Sequence, residues 1–171
     1  MQQLDSWGGF GEALGTSPWQ VRGLVLQAGL RFAKQRVPGG TKAVFERLPP
    51  AAQPYFKQQL AALSWYDAFA PAVYHRSVAE RLALSLTEQA IAFGAFTCRE
   101  DLSGGPHAML LKIFKPRHIG LYMPKVAGFF LRAYAKLTTH ERSAGQVDVR
   151  LDGMPTHPGL FLLHLSMSYA A

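Results

Sequence analysis

Leu111–Leu137 reads LKIFKPRHIGLYMPKVAGFFLRAYAKL. It carries Lys112, Lys115, Arg117, Lys125, Arg132 and Lys136, and no acid occurs between Asp101 and Glu141. By charge alone the stretch is a basic arm suited to phosphates; by periodicity it is a piece of a folded domain. Pro116 starts a helix and Pro124 kinks or restarts it, because proline removes a backbone donor and restricts the residue before it. Past the kink, Val126, Phe130, Ala133 and Leu137 recur at helical spacing, with Lys125, Arg132 and Lys136 on the other side. The expectation is an amphipathic helix with one buried and one basic face. The stretch is then first a part of the fold and only second a docking surface.

Toward the C-terminus, Val147–Leu151 alternates strictly and predicts a half-buried strand, ended by Asp152-Gly153. Pro155 and Pro158 hold an extended connector. Gly159–Met167 stays open: Leu163, Leu165 and Met167 alternate with His164 and Ser166 as in a strand, while Pro158 in front suits a helix.

Toward the N-terminus the pattern is helical. Val21–Val37 predicts a long helix, stopped by Pro38-Gly39-Gly40, whose Gly23 and Gly29 weaken its propensity and permit close approach of another element. Thr41 caps a shorter helix through Arg47. Pro54 sits in the first turn of a helix to Leu63. Ser64–Asp67 has capping-box spacing, and Pro71 starts a helix to about Leu84; the Ser77–Glu80 match inside it is coincidental. Thr87 opens a helix to about Cys98. Asp101–Gly105 reads as a loop, and Pro106 starts a short helix through Phe114. Residues 1–20 form an irregular arm that docks Trp7, Phe10, Leu14 and Trp19 on the body, and 21–171 form a single globular domain.

Composition narrows the class. A chain of 171 residues, 49% hydrophobic and 17% charged, is globular rather than disordered. Net charge is +7, and the excess is uneven: residues 102–171 hold eight Lys/Arg against three Asp/Glu. That asymmetry suits nucleic acid, an anionic surface or an acidic partner, and equally a solvated basic face. The single cysteine, Cys98, excludes an intrachain disulfide and a Cys-rich zinc site. Neither a signal peptide nor an apolar run of roughly 20 residues is visible, so a cytoplasmic location is expected.

Six pieces in fixed order carry a family resemblance: VRGLVLQAGL at Val21–Leu30, FERLPP at Phe45–Pro50, LSWYD at Leu63–Asp67, DLSG at Asp101–Gly104, Pro116…Pro124…Phe130–Tyr134, and VRLDGMP at Val149–Pro155. In that order and spacing the chain resembles an uncharacterised paralogous family, a domain of unknown function abundant in myxobacteria. That family is distantly similar to the group of haem-NO-binding domains, four-vinyl-reductase domains and transport-particle subunits. The resemblance implies an α+β fold, with a helix-rich N-terminal two-thirds packed on a small antiparallel sheet. It also implies a hydrophobic cavity, whose candidate lining is Val25, Leu26, Phe69, Val73, Phe93, Phe96 and Phe130.

Site chemistry is sparse. The Tyr-x-Ser-x-Arg signature of haem-NO domains is absent, His118 falls on the first turn of the basic helix, and no cofactor is expected. The histidines, His75, His107, His118, His140, His157 and His164, are scattered without metal-ligand spacing. No Gly-x-Ser-x-Gly elbow and no phosphate loop occur. Cys98 beside Arg99 is a reactive thiol or, more simply, a small buried hydrophobe; in the transport-particle relatives a cysteine is acylated. The reading that follows is a non-enzymatic regulatory or sensory module, binding a hydrophobic small molecule or a protein partner as a homodimer. The alternative is a nucleic-acid-associated protein using Lys112, Lys115, Arg117, Lys125, Arg132 and Lys136.

Overall fold

The computed structural model describes residues 14–103, 124–125, 127–133, 136–143 and 146–153. The fold is α+β. Helices α1 (Gly23–Arg36), α2 (Gly40–Phe45), α3 (Gln53–Lys57), α4 (Phe69–Leu82) and α5 (Leu86–Ser103) alternate early with two short strands, β1 (Gln20–Arg22) and β2 (Trp65–Asp67). β3 (Leu131–Arg132), β4 (Lys136–Ser143) and β5 (Gln146–Asp152) follow. One antiparallel sheet has the order β2-β1-β3, and β4 and β5 form a hairpin with a bulge between Glu141 and Ser143.

β1 ties the N-terminal segment to the helices. Val21 is fully buried and pairs with Tyr66 on one side and Leu131 on the other. The predicted helix start at Val21 is therefore two residues early. A three-residue strand is too short for periodicity to separate from a helix, and the partners that make it a strand are distant in sequence. Gly23 then starts α1 beneath the loop ahead of β2. A Cβ there would lie 2.1 Å from the Ala61 carbonyl oxygen, so only glycine fits. The close approach supplies the helix with acceptors. The Gly23 and Leu24 N–H groups donate to the Ser64 and Ala62 carbonyls at 2.9 and 3.0 Å. Two of the donors that a helix start leaves unmet are thus satisfied without a side-chain cap.

Ser64–Asp67 is not a helix start: Trp65–Asp67 is strand β2. Asp67 nevertheless works at the next helix. Its Oδ1 accepts from Phe69 N–H at 2.8 Å, and its Oδ2 accepts from the Gly15 and Ser17 N–H groups at 2.7 and 3.3 Å. One buried carboxylate thereby joins the chain before β1 to the start of α4. Leu14 and Trp19 pack on the core beside it, Trp19 edge-on to Phe69 at 5.8 Å between centroids. Trp7 and Phe10 lie outside the described residues.

The remaining helix expectations are partly corrected. α2 begins at Gly40 behind Gly39, whose φ of 83° is left-handed, so Thr41 lies inside the first turn and caps nothing. α3 stops at Lys57, well short of Leu63, because the following residues turn to present carbonyls to α1. α5 opens on a true capping box: Glu88 N–H donates to Ser85 Oγ at 3.2 Å, and Ser85 N–H donates to Glu88 Oε2 at 2.8 Å. It runs through Ser103, so Asp101–Ser103 is helix rather than loop. Residues 104–123 and 154–171, which hold the predicted Pro106 and Pro116 helices and Gly159–Met167, lie outside the described residues.

The largest correction falls on the stretch after Pro124. Residues 124–125 and 127–130 are helical, but the chain then extends as β3, with Leu131 opposite Val21 and Arg132 opposite Gln20. Ala133 takes a left-handed φ of 53°, and Lys136–Leu137 already belong to β4. Phe130, Ala133 and Leu137 therefore share no helix face. The apolar spacing was compatible with a helix, but an open edge beside the buried Val21 captures Leu131 as a strand. The strand predicted at Val147–Leu151 is β5, and Gly153 ends it with a φ of 70°.

Candidate functional site

α4 is buried along most of its length, with Phe69 through His75, Ser77, Val78 and Ala79 all buried and the Arg76–Glu80 pair on its outer side. A helix of that kind belongs in the middle of a core. Its polar groups therefore matter. Tyr74 is 1% exposed, His75 5%, and Gln89 of α5 is fully buried. The Gln89 amide nitrogen lies 3.3 Å from His75 Nδ1. With Nδ1 accepting, the imidazole carries its proton on Nε2. Three atoms remain without a hydrogen-bond partner among the described residues: Tyr74 Oη, His75 Nε2 and Gln89 Oε1. Each such group costs about 1–3 kcal/mol in desolvation. Burial also holds the imidazole neutral, with its pKa lowered to about 4, and pushes the Tyr74 phenol up.

His75 faces α1 at Gly29, where a Cβ would sit 3.7 Å from Nε2 and 3.4 Å from the Tyr74 ring. On its other side the imidazole lies 4.0 Å from the Phe93 ring. Phe93 and Phe96 in turn stand edge-on to Phe32 at 5.7 and 5.3 Å. The His75 imidazole is thus enclosed by the packing of α1, α4 and α5.

Two grooves flank this core. The first, about 370 Å³, is lined by Leu30 of α1, Thr41, Lys42 and Phe45 of α2, Phe56 of α3 and Tyr74 of α4. Its floor is aromatic: Phe56 packs on Tyr74 at 4.7 Å between centroids, and Lys57 Nζ lies 5.4 Å over Phe45. Its polar lining residues are an ammonium, a threonine hydroxyl and the unpartnered phenol. The second groove, about 380 Å³, runs between α1, α5 and the end of α4, lined by Phe32, Leu82, Leu84, Ala92, Ala95 and Phe96 with Arg36 and Arg99.

The candidate lining residues fall mainly in the core. Leu26, Phe69, Val73, Phe93 and Phe96 belong to one buried cluster, and Val25 packs against it. Phe130 lies apart, half-buried just ahead of β3. Of the seven, Phe96 alone lines either groove. Lys125, Arg132 and Lys136 are exposed, but they sit on a helical segment, on β3 and on β4 rather than on one helix face. Lys112, Lys115 and Arg117 lie outside the described residues. Cys98 is half-buried on α5. Among the described residues no group of three or more His, Cys, Asp or Glu could hold a metal ion, and no helix is long and apolar enough to cross a membrane.

A third feature lies on the sheet. The Arg22 guanidinium stacks 3.8 Å from the Trp65 ring centre, donates from Nε to the Phe129 carbonyl at 3.1 Å, and donates to the Leu63 carbonyl. Arg132 approaches the same indole at 5.9 Å. Leu63 and Phe129 beside it are 61% and 43% exposed. Arg22 is a clamp between three segments, and the apolar groups it gathers face solvent.

None of the groove residues Leu30, Thr41, Lys42, Phe45, Phe56 and Tyr74, nor His75 with Gln89, stands out from the sequence as a site. The available signal is Tyr74-His75 on the buried side of a helix whose outer side already carries the Arg76–Glu80 ion pair. Comparison of the chain with protein families, curated proteins and solved structures finds no match.

Proposed function

We propose that this chain is a non-enzymatic regulatory module that binds a small hydrophobic molecule in the groove between α1, α2, α3 and α4. One observation carries the reading: Tyr74 lines an aromatic groove, and its buried hydroxyl has no partner among the described residues. Folded proteins rarely retain such a group unless something supplies the missing bond. A volume of about 370 Å³ is at the small end of ligand sites. The test is protein-observed NMR with a neutral aromatic probe such as 2-naphthamide. Shifts are expected at Leu30, Phe45, Phe56 and Tyr74, and their absence with this probe and with its acid, 2-naphthoate, at millimolar concentration would remove the reading.

A second reading, a protein partner or a second copy, rests on Leu63 and Phe129 flanking the Arg22–Trp65 stack. Aromatic and arginine groups of this kind anchor interfaces. Sedimentation of the wild type against Leu63→Ser and Phe129→Ser tests it: a dimer that dissociates in both variants supports this face, and a monomeric wild type removes the homodimer.

A further inference from the structure

We infer that the ligand of the α1–α4 groove carries an anionic, acceptor-rich end, a carboxylate or comparable oxyanion, on an apolar body. This rests on the reading of the groove as a ligand site and adds its chemistry. The polar lining residues are Thr41, Lys42 and Tyr74. An ammonium offers donors and no acceptor, and a phenol that stays protonated offers its O–H. Burial pushes the Tyr74 ionisation upward, which keeps that donor in place at neutral pH. Lys57, with its Nζ 5.4 Å from the ring centre of Phe45, places a second cation beside the lining. Among the described residues no carboxylate lines the groove.

The balance of groups decides between ligand classes. A cation meets Lys42 and Lys57 unfavourably. A pure hydrocarbon fills the aromatic floor but leaves the phenol unmet. A carboxylate on an aromatic or short aliphatic body satisfies both halves, because a charge-assisted hydrogen bond is worth roughly twice a neutral one. Tyr74 is covered by Phe56, and α3, which carries Phe56, contains no buried residue.

The groove of Arg36 and Arg99 also presents cations beside apolar groups, so it is the internal control. The experiment titrates 2-naphthoate and its uncharged counterpart 2-naphthamide into the full ¹⁵N-labelled chain. 2-Naphthoate is expected to bind about tenfold more tightly than the amide, with shifts centred on Thr41, Lys42 and Tyr74. Tyr74→Phe and Lys42→Met should each remove most of that preference. Arg36→Ala and Arg99→Ala should change neither. Equal affinity of acid and amide would overturn the ligand class while leaving the groove reading intact. Binding of neither probe would overturn both. Shifts centred on Phe32 and Arg99, abolished by the arginine variants, would overturn the assignment to this groove.

Discussion

Asp67, just ahead of α4, and the Tyr74–His75 pair in its middle are both buried, and the fold treats them oppositely. Asp67 receives three backbone N–H groups and joins segments on either side of β1. Tyr74 and His75, with Gln89, keep three polar atoms without partners among the described residues. A buried polar group that is fully met acts as a structural knot; one that is left unmet weakens the fold by its desolvation. The first kind belongs to architecture. The second marks where a ligand or a change of protonation can act.

Replacing Asp67 should break this contrast most severely. Asp67→Ala strands three backbone donors, and a loss of about 4 kcal/mol in chemical denaturation is expected. A loss below about 1 kcal/mol would show that water replaces the carboxylate readily and that the knot is not one.

Next come the two glycines of α1, one at each centre. Gly23→Ala drives a methyl into the Ala61 carbonyl and Tyr66, and should cost about 3 kcal/mol. Gly29→Ala meets only ordinary contacts against Tyr74 and His75, so the helix-propensity gain of up to about 1 kcal/mol should appear as added stability. Equal effects of the two substitutions would erase the distinction between a tight junction and a loosely filled one.

The titration of His75 sharpens the comparison further. Its folded pKa of about 4 lies below the ordinary 6.5, so the unfolded chain binds the proton more tightly. The stability it contributes is complete above about pH 6.5 and is lost as pH falls toward 4, up to about 3 kcal/mol in all. Asp67 shifts the other way: burial raises its carboxyl against the pull of its three donors. Its effect therefore runs in the opposite sense and is confined to the carboxylate range. Urea midpoints between pH 6.5 and 5 should fall for the wild type and stay nearly level for His75→Leu. A wild-type slope that survives the substitution would assign it elsewhere.

The smallest effect is the most diagnostic of an unmet group. Tyr74→Phe removes a hydroxyl that bonds nothing among the described residues, and stability should stay level or rise by under about 1 kcal/mol. A loss of 2 kcal/mol or more would mean that the hydroxyl is satisfied in solution.

Much of the architecture was legible from local signals. Pro38 ends α1 by holding Val37 extended, and Gly39 and Gly40 take the left-handed turn that starts α2. The alternation at Val147–Leu151 marks β5, and the apolar repeats mark α4 and α5. Capping spacing was less secure. Ser64–Asp67 and Ser85–Glu88 have the same spacing, but only the second is a capping box, because the first is drawn into a sheet by β1. The groove was not legible at all. Leu30, Phe45, Phe56 and Tyr74 come from four helices, and nothing local tells which aromatic side chains will share a wall.

The sequence by itself determined most of the helices and the strand at Val147–Leu151, since periodicity, glycine stops and proline starts act over one or two turns. It also determined the basic excess of the C-terminal part. Only the tertiary structure decided that Leu131 and Arg132 leave the helix for an edge beside Val21, and that Asp67 joins two distant segments. It also decided that Tyr74, His75 and Gln89 are buried without full hydrogen bonding. Each of these depends on a partner far along the chain, and the energy of a contact between distant residues is written in neither one's local pattern.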